Sequence, residues 1–270
     1  MAKTKEQKIL VCTELNNNDQ VLIKHGIKLA FIFKKELCLV FHDSSGKKAP
    51  NTKAKNELVR YAEKVKNEIP QLPVSSLVLA GSKSSLPDTL AENHEGIILI
   101  ANAENFKKYT SMLSESPIPF LFVHPQSEII DYNHLVQPLD LRKENSDGSL
   151  WCSYFGRFNQ AEIVVIAAKD STKDAQSSVA KNVLLSKKLY QKFAIDHKIY
   201  KGTRSSFRNS YEALELAHAS DCNLFVMLGS SGITPLDYLV GLPERKIIKR
   251  AGKLPVMVIN PRRDNYILCD

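Results

Sequence analysis

The apolar residues of this chain fall into short unbroken runs, separated by longer segments in which they recur every three or four positions. Ile97-Ile-Leu-Ile100, Ile163-Val-Val-Ile166 and Leu224-Phe-Val-Met-Leu228 show no polar alternation. Strands of that kind are covered on both faces, as in a parallel sheet between layers of helices. Between the runs, Leu22, His25, Leu29 and Phe33 share one helical face, and so do Val179, Val183, Tyr190 and Phe193.

The order of elements occurs twice. In the first half the pattern predicts a strand at 8–13, a helix at about 20–35, a strand at 37–42 and a helix at about 52–69. Strands at 74–80 and 96–100 flank a short helix, and a brief helix near 104–114 leads to a strand at 118–123. The second half repeats this with strands at 134–139, 162–168, 197–202, 223–228 and 255–259. Its helices are expected at about 147–158, 174–194 and 207–219, with helical pieces between 234 and 251. The fold class is therefore α/β, with two tandem doubly wound, five-stranded parallel sheets of strand order 3-2-1-4-5. The domains are 1–130 and 131–270, joined near Gln126 to Asn133; 270 residues accommodate two domains of roughly 100–150.

Composition narrows the classes. No run approaches the roughly 18 apolar residues of a membrane span, and the charged N-terminus lacks the apolar segment of a signal peptide. The expected location is cytoplasmic. Five scattered cysteines without a C-x-x-C argue for reduced thiols, and no His pair has metal-ligand spacing. The net charge of +8 permits attraction to polyanions. The lysines are spread over helix faces without an aromatic–basic stripe, which argues against nucleic acid.

In a doubly wound sheet, ligands bind at the carboxyl ends of strands where the strand order reverses. In the second half that point carries Pro138-Leu-Asp140 and Leu228-Gly-Ser-Ser-Gly232. A carboxylate there can accept from an adenine amino group or a ribose hydroxyl. The glycines would let backbone N–H groups approach phosphates. Equally, Asp140 reads as a turn residue and the glycines as a strand end, and the motifs alone leave both readings open.

Leu135-Val-Gln-Pro-Leu-Asp140, Phe225-Val-Met-Leu-Gly-Ser-Ser-Gly232 and Pro255-Val-Met-Val-Ile259 together resemble the universal stress protein family. Lys8-Ile-Leu-Val-Cys-Thr-Glu14 and Pro119-Phe-Leu-Phe-Val123 repeat the layout, so the chain is similar to a tandem member. The resemblance implies an adenine-nucleotide α-hydrolase-like fold. It also implies a nucleotide site at Pro138, Asp140, Gly229, Ser230, Gly232 and Gly241, taking ATP, ADP or AMP without a predicted metal. The family's ATP-binding pattern, G-x-x-G, nine residues, then G-S/T, is broken here. Leu242 and Pro243 stand where the glycine and hydroxyl are expected, and with one residue of slip Gly241 fits but Leu242 replaces the hydroxyl. Pro243 offers no N–H, and Glu244 puts a carboxylate in the first turn of the next helix, where a phosphate would meet the dipole. Arg245 offsets this in part. The Thr234-Pro-Leu-Asp237 stretch reads as a self-capped turn. In the first half, Thr13 and Glu14 stand near the expected Asp, and Ala101-Asn-Ala-Glu104 has no glycine.

The resemblance thus implies a non-catalytic stress-response protein with weak or lost nucleotide binding in its second half. It further implies dimer-like packing through the fifth strands, Phe120 to Val123 and Val256 to Ile259, satisfied within the chain as a pseudo-dimer. A homodimer or another protein partner stays compatible. The competing classes are a nucleotide-hydrolysing or nucleotidyl-transfer enzyme of the wider superfamily, and a pure partner-binding scaffold. Against an enzyme, neither an S-G-G-x-D-S loop nor a G-x-S-x-G elbow is present, and no catalytic residue is assigned.

Overall fold

Each unbroken apolar run becomes a strand of a parallel sheet in the computed structural model, which describes residues 6–43, 51–113, 116–128, 131–230, 242–260 and 268. The chain divides into two units, Met1–Glu128 with Arg262–Asp270, and Ile129–Pro261.

The first unit contains β1 (Lys8–Cys12), α1 (Asp19–Phe33), β2 (Glu36–Asp43), α2 (Thr52–Glu68), β3 (Val74–Ala80), α3 (Leu86–His94), β4 (Gly96–Asn102), a 3-10 helix (Ala103–Lys108), α4 (Thr110–Leu113) and β5 (Phe120–Val123). Its strands lie side by side in the order β3-β2-β1-β4-β5, all parallel. The second unit contains β6 (His134–Leu139), α5 (Asn145–Asn159), β7 (Glu162–Ala167), α6 (Lys173–Lys192), β8 (His197–Lys201), α7 (Asn209–Ala219), β9 (Leu224–Leu228), α8 (Pro243–Ala251) and β10 (Val256–Ile259). Its order is β8-β7-β6-β9-β10, again parallel. Both sheets thus have the predicted 3-2-1-4-5 order. The reversal lies between β1 and β4 in one unit and between β6 and β9 in the other.

The cores follow the periodicity. Leu22, His25, Leu29 and Phe33 of α1 are buried, as are Val179 and Tyr190 of α6. Burial pulls the His25 pKa down to about 4, so it is a neutral core residue at physiological pH. The expected helix at 104–114 is instead a 3-10 helix followed by a single α-turn. The Asn102 side chain caps the N–H of Glu104, and Asn105 leaves helical geometry at φ −95°, ψ 20°. Asn and Asp side chains compete with helical hydrogen bonding in this way. The expected helical segment between 234 and 241, including Thr234 to Asp237, lies outside the described residues.

Helix α1 sits close on its sheet because Gly26 faces it. A Cβ at Gly26 would stand 2.5 Å from Val11 Cγ2 and 2.8 Å from a Leu37 methyl. Gly26→Val is therefore expected to destabilise the protein by about 1–3 kcal/mol, since overpacking forces stiff neighbours to move. Urea unfolding measures this directly: an unchanged midpoint would mean that α1 stands off the sheet.

Candidate functional site

The site of the second unit is opened by a proline. Pro138 lies in β6, paired in register with Ile166 of β7. On the other side, β6 pairs with β9 only at Leu135–Leu224 and Val136–Phe225. A proline has no N–H to give a ladder, and past Val136 the two strands part. The crevice between their carboxyl ends is the topological switch point. Asp140 closes one side of it and Gly229–Ser230 the other.

The side chain of Arg142 bridges this crevice. Its Nε donates to Asp140 Oδ2 at 2.8 Å, and its Nη2 stands 2.6 Å from the same oxygen. Its Nη1 donates to the carbonyl of Gly229 at 2.7 Å. Asp140 Oδ1 also accepts from the Arg142 N–H and from Asn145 Nδ2, each at 2.8 Å. The carboxylate is thereby saturated by the protein's own donors, in the charge-assisted geometry that makes such bonds strong.

The Ser230 N–H, the kind of group that would meet a phosphate, donates instead to Glu244 Oε1. Glu244 is buried in the first turn of α8, where the positive end of the helix dipole favours an anion. Its Oε2 has no hydrogen-bond partner among the described residues. Gly229 allows this close approach. Its N–H donates to the Ile259 carbonyl at 2.8 Å, and a Cβ would meet Val258 Cγ1 at 3.1 Å. The Gly229–Ser230 peptide group is thus engaged on both sides by side chains of the chain itself.

Three asparagines hold the loop after β6. Asn145 Nδ2 also reaches the carbonyls of Asp140 and Arg142, and Asn182 Nδ2 donates to the same two carbonyls at 2.8 Å. Asn209 Nδ2 ties the ends of β6 and β7 through the carbonyls of Leu139 and Ile166, at 2.8 and 2.9 Å. Behind them Gln137, Ser149, Ser186 and Tyr190 form a buried network that links β6 to α5 and α6.

The first unit closes its switch point with a different pair. Glu14, just past β1, accepts from Asn105 Nδ2 at 2.7 and 2.8 Å and from Lys108 Nζ at 2.9 Å, both beyond β4. Asp19 folds the intervening loop by accepting from the N–H groups of Glu14 and Asn16. A cleft of about 230 Å³ remains beside it, lined by Cys12, Phe41, His42, Lys83 and Tyr109 among others. Burial pushes the Cys12 thiol up to about 11, so at neutral pH it is protonated and not a nucleophile.

Of the residues expected at the site, Asp140, Gly229 and Ser230 face the crevice and Pro138 shapes it. Gly232 and Gly241 lie outside the described residues. Sequence reasoning missed Arg142, Asn145, Asn182 and Asn209. The signal for Asn182 was available: it lies between Val179 and Ser186 on the inward face of α6. Among the described residues no cluster of His, Cys, Asp or Glu could hold a metal, and no helix is long and apolar enough to cross a membrane.

No protein-family model and no curated protein matches the sequence. Solved structures do match. The fold is that of a universal stress protein from Archaeoglobus fulgidus DSM 4304, with a TM-score of 0.65 at 13% identity over 97% of this chain and 98% of that one. It is also similar to a putative universal stress protein from Pseudomonas aeruginosa UCBPP-PA14, with a TM-score of 0.60 at 14% identity over 94% and 93%. A functionally unknown protein from Pseudomonas aeruginosa PAO1 matches with a TM-score of 0.60 at 14% identity, over 95% and 93%. The class defined is thus the doubly wound α/β fold of universal stress proteins, and at these identities the similarity is one of fold.

Replacing Asn209 by Leu removes two buried hydrogen bonds, each worth about 0.5–1.5 kcal/mol, while the Leu139 carbonyl keeps the Ala168 N–H. The expected outcome is a lowered midpoint in chemical denaturation. A midpoint equal to that of the parent would show that Asn209 does not tie the strand ends.

Proposed function

We propose that this chain is a non-catalytic, cytoplasmic regulatory protein of the universal stress type, whose second half binds adenine nucleotides weakly or not at all. The observation that carries the proposal is the Gly229–Ser230 peptide group, whose carbonyl accepts from Arg142 and whose N–H donates to Glu244. To bind, an adenosine would have to displace Arg142 from Asp140, and a phosphate would have to enter against the Glu244 carboxylate. Each displacement removes a charge-assisted hydrogen bond from a partly buried site, which subtracts from whatever the nucleotide contributes. In this reading the chain acts through its folded surface, and its crevice is a structural joint.

Denaturation midpoints measured with ATP, ADP and AMP test this. Ligand present at its own dissociation constant stabilises by only about 0.4 kcal/mol. The wild-type protein at millimolar nucleotide is expected to gain no more than that. Micromolar binding of any of the three would overturn the proposal, and so would phosphate release that is lost in Asp140→Asn. Glu244→Ala removes the internal carboxylate and frees the Ser230 N–H. It is expected to raise affinity for inorganic pyrophosphate at least about tenfold, a gain of about 1.4 kcal/mol, in isothermal calorimetry.

A further inference from the structure

Helix α6 buries Val179, Asn182, Ser186 and Tyr190 and turns its opposite face to solvent. On that face Leu184 and Leu185 are 52% and 55% exposed. Among the described residues they are the one pair of exposed large apolar side chains adjacent in sequence. The fold does not require them there. The inward face anchors the helix, and Thr172 caps its first turn by accepting from the Ala175 N–H.

Lys181 precedes the two leucines by three and four residues, and Lys188 follows them by four and three. At those spacings all four side chains are surface neighbours. They form a diamond with the leucines across its waist and an ammonium group at each tip. Seven residues at a rise of 1.5 Å place the tips about 10 Å apart along the axis. Both lysines are exposed, and among the described residues neither forms an ion pair.

We infer that this face docks an acidic protein segment that presents one or two large apolar side chains between carboxylates about 10 Å apart. On a partner helix those carboxylates stand seven residues apart, with the apolar anchors between them, the usual helix-in-groove spacing. Charge complementarity selects this occupant. A second copy of the same face would set lysine against lysine, which like-charge repulsion opposes. A lipid surface would require an apolar stripe along the helix, whereas the same face carries Ser177 one turn before the diamond and Gln191 and Lys192 one turn after it. The face carries no aromatic side chain on which a nucleic-acid base could stack. This inference is independent of whether the crevice holds a nucleotide.

The test is a phage-displayed library of random helical peptides, selected on the full-length protein and counter-selected on the Leu184→Ser/Leu185→Ser double variant. Recovered peptides are expected to share Asp or Glu on either side of a large apolar residue. Their affinity should fall at least tenfold on the double variant and on Lys181→Glu/Lys188→Glu, while the melting temperature of both variants stays at the wild-type value. Peptides with Lys in place of the acids should regain binding to the Lys181→Glu/Lys188→Glu protein. The inference is overturned if no clone prefers the wild type, or if the selected peptides lack carboxylates. Phosphatidylglycerol vesicles or a single-stranded oligonucleotide bound through the same four residues would also overturn it.

Discussion

Where β6 and β9 part, the backbone groups at their carboxyl ends lose their ladder partners and must find others. Buried peptide groups left unpaired cost as much as lost hydrogen bonds, so the strands can separate only if something satisfies them. Here the supply comes from side chains. Asn182 takes the Asp140 carbonyl, Arg142 takes the Gly229 carbonyl, and Glu244 takes the Ser230 N–H. The fixed loop after β6 and the Glu244 carboxylate in the first turn of α8 both serve that requirement.

The two units reach one solution with different residues. In each, an acid at the end of the first strand is joined to the segment beyond the fourth strand by a cationic side chain. Lys108 makes the join directly to Glu14, and Arg142 makes it from the acid's own loop to the Gly229 carbonyl. Glu14 is further held by Asn105 and Asp140 by Asn145. The direction of the bridge differs because the first unit has no glycine after β4. Its 3-10 helix instead brings Asn105 and Lys108 within reach of the acid.

The fold was legible because its strands are unbroken apolar runs and because the order of elements repeats, so each half checks the other. The place of Asp140 and Gly229 at the crevice was legible because a doubly wound sheet reverses its strand order at known strand ends. Arg142 was not. A charged residue in a short loop reads as solvent-facing, and of its two partners, Asp140 and the Gly229 carbonyl, the second lies 87 residues further on. Glu244 was legible in its position but not in its contact. Sequence placed it in the first turn of a helix, and only the return of α8 beside Gly229 brings its carboxylate to the Ser230 N–H.

The Glu244–Ser230 contact differs in kind from one made to a solute. An anion recruited from solution occupies such a position only in proportion to its concentration. Glu244 is encoded in the chain, so its carboxylate meets the Ser230 N–H from the moment of folding, at an effective concentration that the fold alone sets.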